Sequence, residues 1–125
     1  MSLERVLYVE DDKSIQAVAQ LALETVGNLK LCICSSGEEA LQRAVDFAPQ
    51  LILLDVMMPG MDGPETLRRM RNEPALASIP AVFMTARTQQ SEVQAYLELG
   101  AVDVIPKPFD PMQLADRVKS IWAVQ

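Results

Sequence analysis

Histidine is absent from all 125 residues, which removes histidine-based metal sites and histidine general bases together. The only two cysteines, Cys32 and Cys34, stand two apart on an expected strand and so face the same side. That spacing is neither a CxxC pair nor a disulfide framework, and two buried reduced thiols are expected. No basic run occurs and the net charge is −6, so neither nucleic acid nor an anionic membrane is expected as a direct partner. No apolar segment approaches the roughly 20 residues that span a bilayer, and the N-terminus lacks the apolar core of a signal peptide. A cytoplasmic protein is expected. Half of the residues are hydrophobic, enough for an independent core. A chain of this length reads as one domain, residues 1–125, burying about two thirds of its unfolded surface.

What is present is a regular alternation. Leu51-Ile52-Leu53-Leu54 is an unbroken apolar run closed by Asp55 and followed by Val56, Met57, Met58, Pro59 and Gly60. Such a run before a Pro-Gly turn predicts a strand buried on both faces, with Asp55 where its C-terminal end meets water. Short runs at 6–9, 29–34, 81–84 and 102–105 predict four more strands. Between them lie helical patterns. The first places Ile15, Val18, Ala19, Ala22 and Val26 on one stripe and stops at Gly27. Ser36 with Glu39 forms a capping box for the second, which carries Ala40, Leu41, Ala44, Val45 and Phe47 and ends before Pro49. Pro64 suits the first turn of a third helix with Leu67 and Met70. Val93, Tyr96 and Leu97 mark a fourth ending at Gly100, and a last helix runs from Asp110 with Leu114, Val118, Ile121 and Trp122. Five β units alternating with five helices predict a doubly wound α/β fold, a parallel sheet with helices on both faces. Lys30 alternates into the second strand, which is expected at an edge.

In a parallel sheet every strand's C-terminal end points to one rim, where open α/β sheets bind ligands. The first strand brings Glu10, Asp11 and Asp12 to that rim, the third Asp55, the fourth Thr85, and Lys107 follows the fifth. Each alone has an ordinary explanation: a helix cap, a turn, a strand-end β former, a surface charge. Together they define a chemistry. Crowded carboxylates repel one another and call for a cation, and oxygen ligands without His or Cys favour Mg²⁺ or Mn²⁺ over zinc. A hydroxyl and an ammonium added to such a cluster make a phosphoryl site with Asp55 as nucleophile.

The ordered set Val9-Glu10-Asp11-Asp12, Leu53-Leu54-Asp55, Met58-Pro59-Gly60-Met61-Asp62-Gly63, Met84-Thr85-Ala86, Gly100-Ala101 and Lys107-Pro108 resembles the receiver domain of two-component response regulators. The resemblance covers nearly the whole chain, with Thr85 30 and Lys107 52 residues beyond Asp55. It implies the flavodoxin-like strand order 2-1-3-4-5. It also implies that Asp55 accepts a phosphoryl group from a phosphohistidine on a sensor histidine kinase or histidine phosphotransfer protein. In the implied metal site, Asp11 and Asp55 bind Mg²⁺ with the backbone carbonyl of Met57, and Glu10 acts largely through water. Thr85 turns toward the phosphoryl oxygen, Lys107 pairs with it, and the Lys107–Pro108 bond is cis. The last two β-α units then switch between two arrangements that a downstream output protein or domain distinguishes. A homodimer through the last helices fits the family. One departure stands out: the position three before the lysine often carries a rotating aromatic, and here it is Val104. Met57 and Arg87 line the approach to the site and are expected to tune phosphoryl lifetime.

Three other readings compete. A degenerate receiver would serve only as a protein-binding module, but all five functional positions are filled. A haloacid-dehalogenase-like phosphatase has a second acid two residues after its nucleophile, where this chain has Met57. A flavodoxin-like flavin carrier needs phosphate-cradling Ser, Thr and Gly donors in its first loop. Glu10-Asp11-Asp12-Lys13-Ser14 would repel a phosphate instead.

Overall fold

The computed structural model describes residues 2–125. Five strands, β1 (Arg5–Val9), β2 (Lys30–Cys34), β3 (Leu51–Asp55), β4 (Ala81–Thr85) and β5 (Asp103–Pro106), form one parallel sheet in the order β2-β1-β3-β4-β5. The helices are α1 (Lys13–Gln20), α2 (Gly37–Phe47), α3 (Gly63–Arg71), α4 (Gln90–Glu98) and α5 (Leu114–Ala123). The expected fold class and strand order are therefore those observed. All five residues of β3 and of β4 are buried, as unbroken apolar runs require, whereas Lys30 on the edge strand β2 is exposed.

Successive strand residues point to opposite faces, so each central strand feeds two cores. Leu7, Val9, Ile52, Leu54 and Phe83 pack under α2 and α3. Val6, Tyr8, Leu51, Leu53, Val82 and Met84 pack under α1 and α5. Each fully buried aliphatic side chain contributes about 1.5–3 kcal/mol, so the strands are held from both sides. Cys32 and Cys34 are both buried and free on the first of these faces. Burial, then the neighbouring Cys32 and Glu39, pushes the Cys34 thiol up to about 12.

Two expectations need correction. The first helix does not bury the stripe 15-18-19-22-26. Ala19 and Ala22 are buried, but Val18 and Val26 are 41% and 45% exposed, and Gln16 and Leu23 go inward instead. Gln16 is drawn inward by its side-chain hydrogen bonds to the Glu10 carbonyl and Ser35 Oγ, and beyond it the helix continues as a π-helix, Leu21–Val26, in which the Gly27 amide donates to the Ala22 carbonyl five residues back. That wider turn rotates the inward face relative to an ideal helix. The last helix begins at Leu114, not Asp110, because the Asp110 carbonyl and carboxylate hold residues 110–113 in a preceding turn. Its expected inward residues Leu114, Val118 and Ile121 are buried, with Trp122 half-buried.

Candidate functional site

The sheet changes direction between β1 and β3, which pair side by side while the chain runs outward from each. The crevice at this switch point is where open α/β sheets place their ligands. Glu10 leaves the end of β1 and Asp55 is the last residue of β3. One carboxylate oxygen from each of Glu10, Asp11 and Asp55 lies within 4.8 Å of the others. Glu10 and Asp55 are 1% and 4% exposed, and Asp11 is the least buried of the three. Asp12 takes the ordinary role instead: its side chain caps α1, accepting from the Ser14 and Ile15 amides.

Lys107 reaches this cluster from beyond β5. Its Nζ donates to Glu10 Oε1 at 2.9 Å and to Asp55 Oδ1 at 3.0 Å. Burial alone would push the amine down, but the hydrogen bonds and charges of Glu10 and Asp55 outweigh it and hold Lys107 above the usual lysine value. The Lys107–Pro108 peptide bond is cis, as expected. The Lys107 amide donates to the Thr85 carbonyl, tying the ends of β4 and β5 together. Thr85 itself is 3% exposed and stands one residue beyond Met84, the cross-strand partner of Asp55. Its Oγ1 accepts from the Arg87 amide at 3.0 Å. The side chain of Met57 is 64% exposed at the mouth. The residues expected at the rim are thus on one rim, and the lysine is bonded to two of the carboxylates.

Three further residues shape the site and were not expected to. The Tyr8 hydroxyl, fully buried, donates to Glu10 Oε1 at 3.3 Å. The Gln16 side-chain amide donates to the Glu10 carbonyl and to Ser35 Oγ, which explains why this polar residue faces inward. At Gly63 a Cβ would stand 2.3 Å from the Asp55 carbonyl oxygen and 3.0 Å from Val56 Cα, so only glycine lets α3 begin against the end of β3. In sequence, Gly63 is marked only as the end of the motif at 58–63 and by its place before Pro64, with no sign of this close packing; the other two depend on contacts made by the fold.

Beside Lys107 lies a recess of about 390 Å³ lined by Ile15, Val18, Ala86, Lys107, Pro108 and Phe109, almost wholly apolar. Among the described residues no helix is long and apolar enough to cross a membrane.

A doubly wound α/β domain with an acidic rim and a lysine bonded across it is the architecture of a phosphoryl-handling signalling module. The response regulator receiver domain family matches residues 6–119, and this chain belongs to it. It is 38% identical over 118 residues to the alkaline phosphatase synthesis transcriptional regulatory protein PhoP of Bacillus subtilis, covering 94% of this chain and 48% of that protein. It is 36% identical over 117 residues to the DNA-binding response regulator MtrA of Mycobacterium tuberculosis, covering 94% and 50%. The chain thus spans about half the length of the curated relatives it matches. Among solved structures, the chemotaxis protein CheY4 of Vibrio cholerae superposes with a TM-score of 0.87 at 28% identity, covering 96% of this chain and 99% of that one. The signal receiver domain of a signal transduction histidine kinase from Syntrophus aciditrophicus gives 0.82 at 32% identity, covering 97% and 91%. The protein is a two-component receiver, a signalling domain.

Proposed function

We propose that residues 1–125 act as one receiver unit in which Asp55 is the phosphoacceptor, served by Thr85 and Lys107. The observation that carries this reading is the double hydrogen bond of Lys107 to Asp55 and Glu10 within a cluster of three carboxylates. Three carboxylates and one ammonium leave a net −2, the charge a divalent cation balances, and the donors are all hard oxygens. Asp11, Asp55 and the Met57 carbonyl would hold Mg²⁺, or Mn²⁺, with Glu10 acting largely through water. When bound, the ion neutralises charge on the phosphoryl oxygens.

The chain's own residues supply the rest. An Asp55 carboxylate oxygen attacks phosphorus, the new P–O bond forms as the P–N bond of a phosphohistidine breaks, and the imidazole nitrogen keeps the electron pair. The donor is a sensor histidine kinase or a histidine phosphotransfer protein; residues 1–125 contain no histidine and so cannot carry the phosphohistidine themselves. Lys107 stabilises charge on the transferring group from the side already bonded to Asp55. The Thr85 hydroxyl, which accepts from the Arg87 amide, keeps its hydrogen free to donate to a phosphoryl oxygen. The apolar recess beside Lys107 suits a donor that buries apolar side chains around its phosphohistidine. Phosphorylation then adds charge and acceptors that Thr85 answers by moving the loop into α4, and an output protein or domain reads the altered surface. The setting is cytoplasmic, and homodimerisation through the last helices is compatible with the family.

Incubation with acetyl phosphate and Mg²⁺ should add one phosphoryl group to the intact mass, and Asp55→Asn should remove that gain. No gain on wild type, or an undiminished gain on Asp55→Asn, would refute Asp55 as the acceptor; the first outcome would restore the degenerate, binding-only reading.

A further inference from the structure

We infer that Tyr8 is a positioning residue of the phosphoacceptor site, whose buried hydroxyl holds Glu10 from beneath and, through Glu10, fixes where the Lys107 ammonium stands. The inference rests on the reading of Asp55 as acceptor.

Tyr8 lies in β1 and Glu10 one residue past its end, where the Glu10 amide still donates to the Cys34 carbonyl of β2, so the two side chains, two apart, point to one face of the sheet. Tyr8 is fully buried between Ile33 and Leu53, its cross-strand partners, in a core whose other buried members are aliphatic side chains and Met84, with Phe109 and Trp122 packed against its edge. A phenylalanine would fill that core equally well. Burying a hydroxyl among apolar groups is unfavourable unless it is hydrogen-bonded, and the bonded hydroxyl returns little net stability. Its partner is Glu10 Oε1, 3.3 Å away, and among the described residues no buried side-chain polar atom lacks a partner. The hydroxyl is therefore better explained by what it does to Glu10 than by what it adds to the core.

Glu10 is held by three donors. Oε1 accepts from Tyr8 and from Lys107 at 2.9 Å, and Oε2 accepts from the Asp12 amide at 3.2 Å. At 1% exposure, water has almost no access to replace any of them. The result is a continuous chain of contacts from the sheet's interior to the acceptor: Tyr8 to Glu10, Glu10 to Lys107, Lys107 to Asp55. Without the hydroxyl, the carboxylate loses the donor nearest the core and can tilt toward the rim. Lys107 follows the anion it is bonded to and leaves its place beside Asp55.

Tyr8→Phe removes one oxygen and keeps the ring. Phosphorylation by acetyl phosphate with Mg²⁺ should slow about three- to tenfold, the scale of one hydrogen bond, with the melting temperature little changed. The same substitution in a Glu10→Ala background should have no further effect on the rate, because the link it acts through is gone. In metal-free protein the ¹³C signal of the Lys107 ε-methylene should move in Tyr8→Phe. An unchanged rate in Tyr8→Phe, or an equal fractional loss in both backgrounds, overturns the proposal. If wild type takes up no phosphoryl group, the reading of Asp55 fails. The Lys107 signal still decides the positioning role: a shift supports it, and no shift ends it.

Discussion

At the rim, Glu10 and Asp55 are nearly inaccessible to water, and Lys107 is the cation that, among the described residues, is bonded to both and offsets their mutual repulsion. Asp11 adds a third negative charge with no cation bonded to it among the described residues. Removing it should relieve the metal-free protein. Asp11→Ala is expected to melt a few degrees higher than wild type in the presence of a chelator, corresponding to no more than about 1 kcal/mol. The same variant should lose Mg²⁺-dependent phosphorylation. Severe unfolding in a thermal melt would show instead that Asp11 is mainly structural. These rim residues were readable in the sequence because each follows a short apolar run, so its place at a strand end came with the strand. Tyr8 and Gln16 were not readable. Tyr8 sits inside an apolar strand run and Gln16 off the expected inward stripe, and only the tertiary hydrogen bonds reveal why a polar group is buried at each.

Among the elements, α4 is the least anchored: none of its residues is fully buried, against four in α3. Val93 and Tyr96 are half-buried, and the Tyr96 ring meets Phe83 with centroids 5.4 Å apart at a 60° tilt. Val104, where an aromatic is usual, lies buried in the same cluster. Few buried contacts mean a low free energy of local opening. Amide hydrogen exchange should accordingly be about tenfold or more faster in Gln90–Glu98 than in Gly63–Arg71. Equal protection of the two helices would contradict a mobile α4. The strands and the order of helices were legible from apolar runs and from the Ser36, Pro64 and Gly27 punctuation. The inward face of the first helix was not: Gln16 is buried by tertiary hydrogen bonds, and the π-helical turn that carries Val26 leaves the hydrophobic spacing unmarked. The start of the last helix was misplaced for a related reason: Asp110 carries the chemistry of a cap but closes a turn.

For the molecule as a whole, three buried or partly buried groups set the alkaline limit of stability. The Cys34 thiol moves from 9.0 to about 12 through burial and its neighbours, and burial with Glu10 close by pushes the Tyr8 phenol up as well. Lys107 is held above its usual 10.5. In each case the folded value exceeds the unfolded one. The stabilisation is therefore complete below the unfolded value and is lost as pH climbs toward the folded one. Melting temperature should fall progressively above pH 9, with Cys34 alone contributing at most about 4 kcal/mol over the whole interval. A melting temperature flat to pH 11 would contradict these assignments. The loop from Val56 to Asp62 adds a mechanical consequence. Its far end is wedged at Gly63 against the backbone of the very residue that precedes the loop, while at Gly60, φ +75°, even an added Cβ would find only the tip of Glu38, 4.0 Å away. The segment is thus shaped like a handle riveted at both feet with a single loose joint near its crown. A force applied there by a visiting protein would bend it at Gly60 and leave the carboxylate of Asp55 where the sheet has put it.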